Sequence, residues 1–323
     1  MTTVGAIERR LADLRHEAAG EHRGARTNVV ELVVWGGNND LADEAANAIA
    51  GLTHNRPSRA LVLEPAPLQH VTSDESVFCS LPPDGGGGVL VCSEVVRLRG
   101  PADTEALPSM ARSLMLPNLP LFVLWLDEPR FDGPIAKGIL RGATRLVVDS
   151  TRFPAVLPAL PALAGDEPPY IADLSWTKIT GWRDVVAQLF DPPAHRELLP
   201  SLSEIRIAHV AGTDSQAMLL AGWLRSHVAS DAAVEISDVV RNDMRPGSLV
   251  HVDLKCGDAV LSIDRPMEGV AVTRSPALGE QRLQLRVPPF ADLLADELEF
   301  LTRDRIFEEA LDASLAVADD LWR

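Results

Sequence analysis

Cysteine is scarce: the 323-residue chain has three, Cys79, Cys92 and Cys256, and no C-x-x-C spacing. Neither a secreted disulfide framework nor a cysteine-built zinc site is indicated. Basic charge is short as well. Lys and Arg total 30 against 46 Asp and Glu, a net charge of −16. Nucleic-acid phosphates and anionic membrane surfaces would be repelled, so neither is an expected partner. Long apolar runs are missing: Leu119–Leu126 falls far short of a membrane span. Met1–Gly24 carries charges throughout without an apolar h-region, so no signal peptide is expected. The expected location is the cytoplasm.

Catalytic motifs are equally sparse. The sequence contains no G-x-S-x-G, H-E-x-x-H or G-x-G-x-x-G. Its histidines, His16, His22, His54, His70, His195, His209, His227 and His251, are scattered, and none pairs with His, Cys or a carboxylate at metal-ligand spacing. They read as ordinary surface or core histidines; no metal, cofactor or catalytic residue is expected. This inventory fits a binding or scaffold protein better than an enzyme, although catalytic groups can come from distant positions.

The chain does have length and apolar content for two domains: 46% hydrophobic and 24% charged residues are ordinary soluble values. Residues 6–18 read as an amphipathic helix, which either covers its own domain or docks on another subunit. His16–Arg26 reads as a polar linker. Thr27–Trp35 and Ser58–Glu64 are strand-like and flank a helix that Asp40 can cap, a β-α-β succession that implies a parallel pair. Two further strands, Ser73–Leu81 and Val89–Arg99, are joined by Pro-Pro-Asp-Gly-Gly-Gly-Gly. A phosphate loop would need a helix after those glycines, so a hairpin is preferred. In one register Cys79 and Cys92 would face each other across that hairpin, close enough for a disulfide; two small buried hydrophobes is the plainer reading.

A helix over Ala102–Leu116 starts late or is interrupted at Pro108. Leu116–Leu126 then reads as a strand buried on both faces, followed by a helix at Ile135–Leu140 and a strand at Thr144–Asp149. Asp149-Ser150 stands at a strand end, where α/β proteins place ligands and where caps are also common. Phe153–Pro169 is proline-rich and reads as irregular. Beyond Asp191, a strand at Glu204–Val210 leads through Gly212-Thr-Asp-Ser into a helix at Ser215–His227, with Met218, Leu219, Trp223 and Leu224 inward. That turn could seat an anion, but with no basic residue in it simple capping is preferred. Short alternating strands from Val234 to Val287 predict an antiparallel meander, and two helices close the chain.

Between the two halves lies Asp173–Phe190, with two of the six tryptophans. Trp182, Val185, Val186, Leu189 and Phe190 share one helical face. A single helix from Asp173 would put Lys178 into that face, so the spacing predicts a break, with Asp173 capping a short first piece and Thr180 the second. Trp176 and Trp182 are either core residues at a junction or, with Arg183, part of a docking face.

Several stretches together resemble the OpcA family of glucose-6-phosphate dehydrogenase assembly proteins. They are Leu116-Pro117 with Pro120 and the strand ending in Trp125; Ala143–Ser150; Asp173-Leu-Ser-Trp176-Thr177 followed by Trp182-Arg183; and Ala221-Gly-Trp223-Leu. The order of elements agrees over almost the whole chain. Two positions depart from the family pattern: Leu126 stands where a second tryptophan is frequent, and Gly181 where a proline is.

The resemblance implies a non-catalytic partner that binds glucose-6-phosphate dehydrogenase and promotes its active oligomer, acting as an allosteric activator in the oxidative pentose phosphate pathway. It implies partner contacts at Trp125, Asp173, Trp176, Thr177, Trp182 and Arg183, and a redox role for Cys79 and Cys92. The alternative is a sensor or enzyme for a sugar phosphate or nucleotide, using the crevice at the ends of the N-terminal sheet. The expected fold is α/β. An N-terminal helix and linker (1–26) precede a three-layer-like α/β domain with a mostly parallel sheet (27–172). A C-terminal α+β domain follows, with an antiparallel meander and terminal helices (173–323).

Overall fold

The first helix, α1 (Val4–Ala19), is capped by the Thr3 side chain and buries Ile7 and Leu11. The computed structural model describes residues 2–20, 23–25, 28–53, 57–81, 89–101, 104–228 and 231–321. Helix α1 covers its own unit. Glu8 pairs with the fully buried Arg59 at 2.6 Å, and Arg15 pairs with Glu94. The expected linker is shorter than its composition implies, because β1 (Arg23–Ala25) adds to the sheet edge.

The strands β2 (Val30–Gly36) and β3 (Ser58–Pro65) flank α2 (Asn39–Gly51), whose cap is Asn38 and not Asp40: the Asn38 side chain accepts from the Leu41 N–H at 3.0 Å. A cap must sit just outside the first turn, and Asp40 lies inside it. Next come β4 (Thr72–Ser80), β5 (Val89–Gly100), α3 (Ala106–Leu114), β6 (Leu121–Leu126), α4 (Pro134–Leu140), β7 (Arg145–Val148) and β8 (Tyr170–Asp173). Pro108 is accommodated inside α3, close to its start, where proline removes no helical hydrogen bond.

Among the described residues the sheet has the order β1-β5-β3-β2-β6-β7-β8, with β4 on β5. Neighbouring pairs from β1 to β7 are parallel and β4–β5 is antiparallel. β6 is buried at every position, as a strand covered on both faces must be. The seven residues expected to turn the β4–β5 hairpin, 82–88, lie outside the described residues.

The unit is completed from far along the chain. Contacts group Met1–Val148, Gly165–Ala172 and Phe290–Arg303 into one compact unit, and Asp149–Ala164, Asp173–Pro289 and Asp304–Arg323 into a second. The units are thus interleaved along the chain, where the sequence suggested a single cut after 172. The returning segment carries Glu297, whose carboxylate takes two hydrogen bonds from the buried Arg145, at 2.8 and 3.2 Å.

The second unit begins with a 3-10 helix at Pro154–Ala162, a correction to the irregular reading. Proline fixes φ near helical values, and 3-10 turns need few amide donors. Then come α5 (Leu174–Lys178), α6 (Thr180–Leu189), α7 (Pro193–Arg196), β9 (Leu202–Val210), α8 (Ser215–His227), β10 (Ala233–Val239), β11 (Leu249–Cys256), β12 (Ala259–Met267), β13 (Gly269–Ser275) and β14 (Gly279–Leu285). The closing helices are α9 (Phe290–Glu297), in the first unit, and α10 (Arg305–Leu321), in the second. The sheet order is β10-β9-β11-β12-β13-β14. β11 to β14 form the expected antiparallel meander, but β10 lies parallel to β9 across the α8 crossover. On α8, Met218, Leu219 and Leu224 are buried while Trp223 is only half-buried.

No helix among the described residues is long and apolar enough to cross a membrane. No group of three or more potential metal ligands occurs among them either.

Helix α8 packs against α10 at Gly222. A Cβ there would stand 2.1 Å from the Ala310 carbonyl oxygen and 2.7 Å from the Ser314 nitrogen. Backbone atoms cannot step aside as a flexible side chain can, so Gly222→Ala forces the helices apart. The expected loss is about 1–3 kcal/mol, read as a lower urea midpoint; an unchanged midpoint would show that the helices separate freely.

Candidate functional site

The stretch Asp173–Phe190 folds as two helices broken at Ile179, as Lys178 required. Asp173 caps α5: its Oδ1 accepts from the amides of Ser175 at 2.9 Å and Ser150 at 3.0 Å. The second cap is different from the expectation. Thr180 is itself helical, and α6 has no side-chain cap. One residue between two helices leaves no extended position for a capping side chain.

Around Asp173 the second unit holds a dense polar cluster. Asp149, Ser150, Asp173 and Ser175 have no exposure. The Ser175 hydroxyl meets those of Ser150 at 2.9 Å and Thr151 at 2.7 Å. Ser215 donates to the Ser150 carbonyl at 2.8 Å, and the Ser215 amide donates to Thr213 Oγ1. The Gly212-Thr-Asp-Ser turn is therefore tied into this cluster by its own hydroxyls. Lys178 sends Nζ to both oxygens of Asp149, at 2.7 and 2.9 Å, and Arg152 adds Nε at 3.1 Å. Sequence reading found Lys178 only as a misfit on a helix; its partner, 29 residues away, was out of view.

Asp173 is the exception in this otherwise answered cluster. Its Oδ2 is buried without a hydrogen-bond partner among the described residues. Burial pushes the carboxyl up to about 6 from 3.8, and Asp149 pushes the same way against hydrogen bonds from Ser150 and Ser175.

Trp176 is 4% exposed and Trp182 2%, so neither indole offers a face to a partner. The Trp176 ring lies against Phe307, its Nε1 donates to Asp304 at 3.2 Å, and the Arg183 guanidinium stacks 3.6 Å from the ring centroid. Arg183 also reaches Thr180 Oγ1 at 2.9 Å. Arg183 and Thr177 are half-buried. The cluster thus brings Asp173, Trp176 and Arg183 together, with only parts of Arg183 and Thr177 reaching solvent.

Trp125 belongs to the first unit. It ends β6 beside Trp35 at the end of β2, with ring centroids 5.7 Å apart, and Phe131 covers it at 5.4 Å. Trp35 Nε1 donates to Asp127 at 3.0 Å. The Asp127 carboxyl carbon lies 2.7 Å from where a Cβ on Gly37 would stand, so only glycine fits below it. This is the point where the sheet order reverses, between β2 and β6, and where doubly wound folds open a crevice for ligands. Trp35 was missed from sequence; its position at the end of the first strand of the β-α-β unit was the available signal. Elsewhere in this unit Cys79 and Cys92 are directly opposed on β4 and β5 and form a disulfide. The plainer reading of two separate buried thiols is thereby replaced.

A mostly parallel sheet whose strand order reverses once is a Rossmann-type architecture, and solved structures agree. A levoglucosan dehydrogenase in complex with NADH matches with a TM-score of 0.52 and 8% identity, over 91% of this chain and 96% of that one. The transcriptional regulator Gal80p of Kluyveromyces lactis matches with 0.52 and 9%, over 91% and 89%. At such identities the likeness concerns fold alone.

Family models are more specific. Residues 46–164 match the glucose-6-phosphate dehydrogenase subunit N-terminal domain and 169–311 the C-terminal domain of the same subunit. The chain belongs to the OpcA family of glucose-6-phosphate dehydrogenase assembly proteins. A Synechocystis sp. relative, provisionally named OxPP cycle protein OpcA, is 31% identical over 54% of this chain and 38% of its own length. A Nostoc punctiforme relative of the same name is 28% identical over 70% of this chain and 48% of its own. The matched stretches thus span less than half of these relatives.

The Asp173 carboxyl sets a pH dependence. Between about pH 4 and 6 the folded chain holds a proton there that the unfolded chain has released, because the folded value is about 6 and the ordinary one 3.8. This contribution to stability is therefore present below that window and lost as pH rises through 6. At neutral pH the penalty is on the order of 3 kcal/mol. Asp173→Asn keeps an acceptor for the Ser175 amide and removes the titration. Its urea midpoint relative to wild type should rise from pH 4 to 6; a constant difference would refute the assignment.

Proposed function

We propose that this chain is a non-catalytic assembly factor. It binds glucose-6-phosphate dehydrogenase, promotes the dehydrogenase's active oligomer and activates it allosterically, in the cytoplasm, within the oxidative pentose phosphate pathway. One observation of the fold carries the reading. At the sheet's reversal point the chain's own Trp35, Trp125, Phe131 and Asp127 are packed together. A carboxylate also sits against the Gly36-Gly37 turn, where a phosphate would otherwise approach backbone amides. The same packing weighs against the alternative, a sugar-phosphate or nucleotide sensor or enzyme at this crevice. Membership of the family supports the dehydrogenase as the partner.

The docking face we assign is the exposed edge of Thr177 and Arg183. Stacking on Trp176 holds the guanidinium in place before any partner arrives, which lowers the entropy lost on binding. Asp173, Trp176 and Trp182 support that edge from inside, and Trp125 shapes the first unit. Cys79 and Cys92 serve as its redox element, the disulfide fixing β4 against β5.

Mixed with the dehydrogenase, the chain should co-elute on gel filtration and lower the enzyme's apparent KM. Absence of a complex would end this reading. Trp176→Ala would leave a core cavity worth about 3–5 kcal/mol, so Arg183→Ala is the cleaner probe. It should fold normally and bind at least tenfold more weakly; full activation by that variant would move the docking face elsewhere. For the redox role, a peptide map of oxidised protein should recover Cys79 linked to Cys92, and reduction should change activation. Two free thiols, or no change on reduction, would remove the cysteines from the proposal.

A further inference from the structure

Buried arginines in this chain are answered by acceptors. Arg59, with no exposure, donates to Glu94, Glu8 and the Leu114 carbonyl, all within 2.7 Å. Arg145 donates to Glu297 and to the Thr302 carbonyl at 2.9 Å. Arg265 breaks the pattern. Its side chain is 4% exposed on β12, and its nearest carboxylate among the described residues is Glu268, 4.0 Å away on a side chain 68% exposed. Its Nε is buried with no hydrogen-bond partner. An N–H buried without an acceptor costs about 1–3 kcal/mol.

The surroundings do not relieve this charge. Arg241 adds a second cation nearby, but it is already engaged: it bonds both oxygens of Asp243, at 2.6 and 2.8 Å, and the Pro266 carbonyl at 2.9 Å. Burial and Arg241 together hold the Arg265 guanidinium below the ordinary arginine value, with Glu268 and Asp243 opposing. By contrast, Arg59 sits above it. The Arg241–Pro266 bond is flanked in sequence by two exposed apolar side chains, Val240 at 84% and Met267 at 52%.

We propose that Arg265 anchors an oxyanion site at this end of the second sheet, completed by a carboxylate or phosphate group that the chain itself does not supply. The planar fork of Nε and Nη atoms suits bidentate binding of either group. Arg241, clamped by Asp243 and the Pro266 carbonyl, is held in place beside it. Val240 and Met267 form an apolar rim, which suits an oxyanion carried on a larger body.

The test uses Arg265→Met, close in length and without charge, and Arg265→Lys, which keeps the charge and loses the fork. Two probes separate the sources of the oxyanion: inorganic phosphate by calorimetry, and glucose-6-phosphate dehydrogenase by affinity measurement. The second arm rests on the proposed function; the first does not. Arg265→Met should keep or raise the urea midpoint, because a buried N–H without an acceptor has been removed. A loss of at least tenfold in phosphate affinity, with Arg265→Lys intermediate, supports a small oxyanion. A similar loss confined to the dehydrogenase supports a carboxylate of that partner. If wild type binds neither probe, or Arg265→Met binds both as wild type does, the site does not exist. Should Arg265→Met fail to fold, the charge is structural unless folded Arg265→Lys shows the same binding loss.

Discussion

A carboxylate with no access to water must find its counter-charge inside the protein, and in the second unit Asp149 finds it in Lys178. Much of the local structure follows from that pairing. Lys178 is the last residue of α5, and the break at Ile179 frees it from the apolar face that Trp182, Val185, Val186 and Leu189 bury on α6. The same break lets Trp176 lie against Phe307 while Arg183, one turn into α6, comes down over its ring. Asp173 gives up solvation to cap α5 and is left with one oxygen unanswered. The cluster is thus high-stakes in the usual sense of buried polar networks: nearly every donor is matched, and the exception is where pH acts.

The first unit keeps the topology of a doubly wound fold. The sheet order still reverses between β2 and β6, and a helix still follows the first strand after two glycines. What fills the reversal point is a stacked indole pair and a carboxylate held by an indole N–H. A fold does not dictate a function, as an NADH-bound dehydrogenase and a transcriptional regulator of similar architecture illustrate. The side chains at the crevice decide which use remains open.

Local patterns were legible in the sequence and long-range partners were not. Leu116–Leu126 announced a doubly covered strand because it is almost wholly apolar; the strand itself starts later, at Leu121 after Pro117 and Pro120, and is buried throughout. The α5–α6 break was readable from one misplaced lysine. The parallel pairing of β10 with β9 was hidden, since an edge strand alternates alike whichever way its neighbour runs. The proline-rich Phe153–Pro169 read as irregular because proline breaks the helices that periodicity detects, yet it permits the 3-10 turns of Pro154–Ala162. Arg265 gave no signal at all. Its significance lies in what fails to surround it, which only the folded chain reveals.

Interleaving adds a constraint that linear family boundaries conceal. The family models divide near residues 164 to 169, as a cut between two consecutive domains would. Contacts nevertheless place Phe290–Arg303 in the first unit, where Arg145, 2% exposed, pairs with Glu297, 152 residues further on. Ending the chain at 172 would remove that carboxylate and the Thr302 carbonyl together with the segment that carries them. The N-terminal unit is therefore not separable by a single cut, even though its sheet is continuous before that point. Whatever the chain does for a partner, it does with both units synthesised and the C-terminal segment returned to the first.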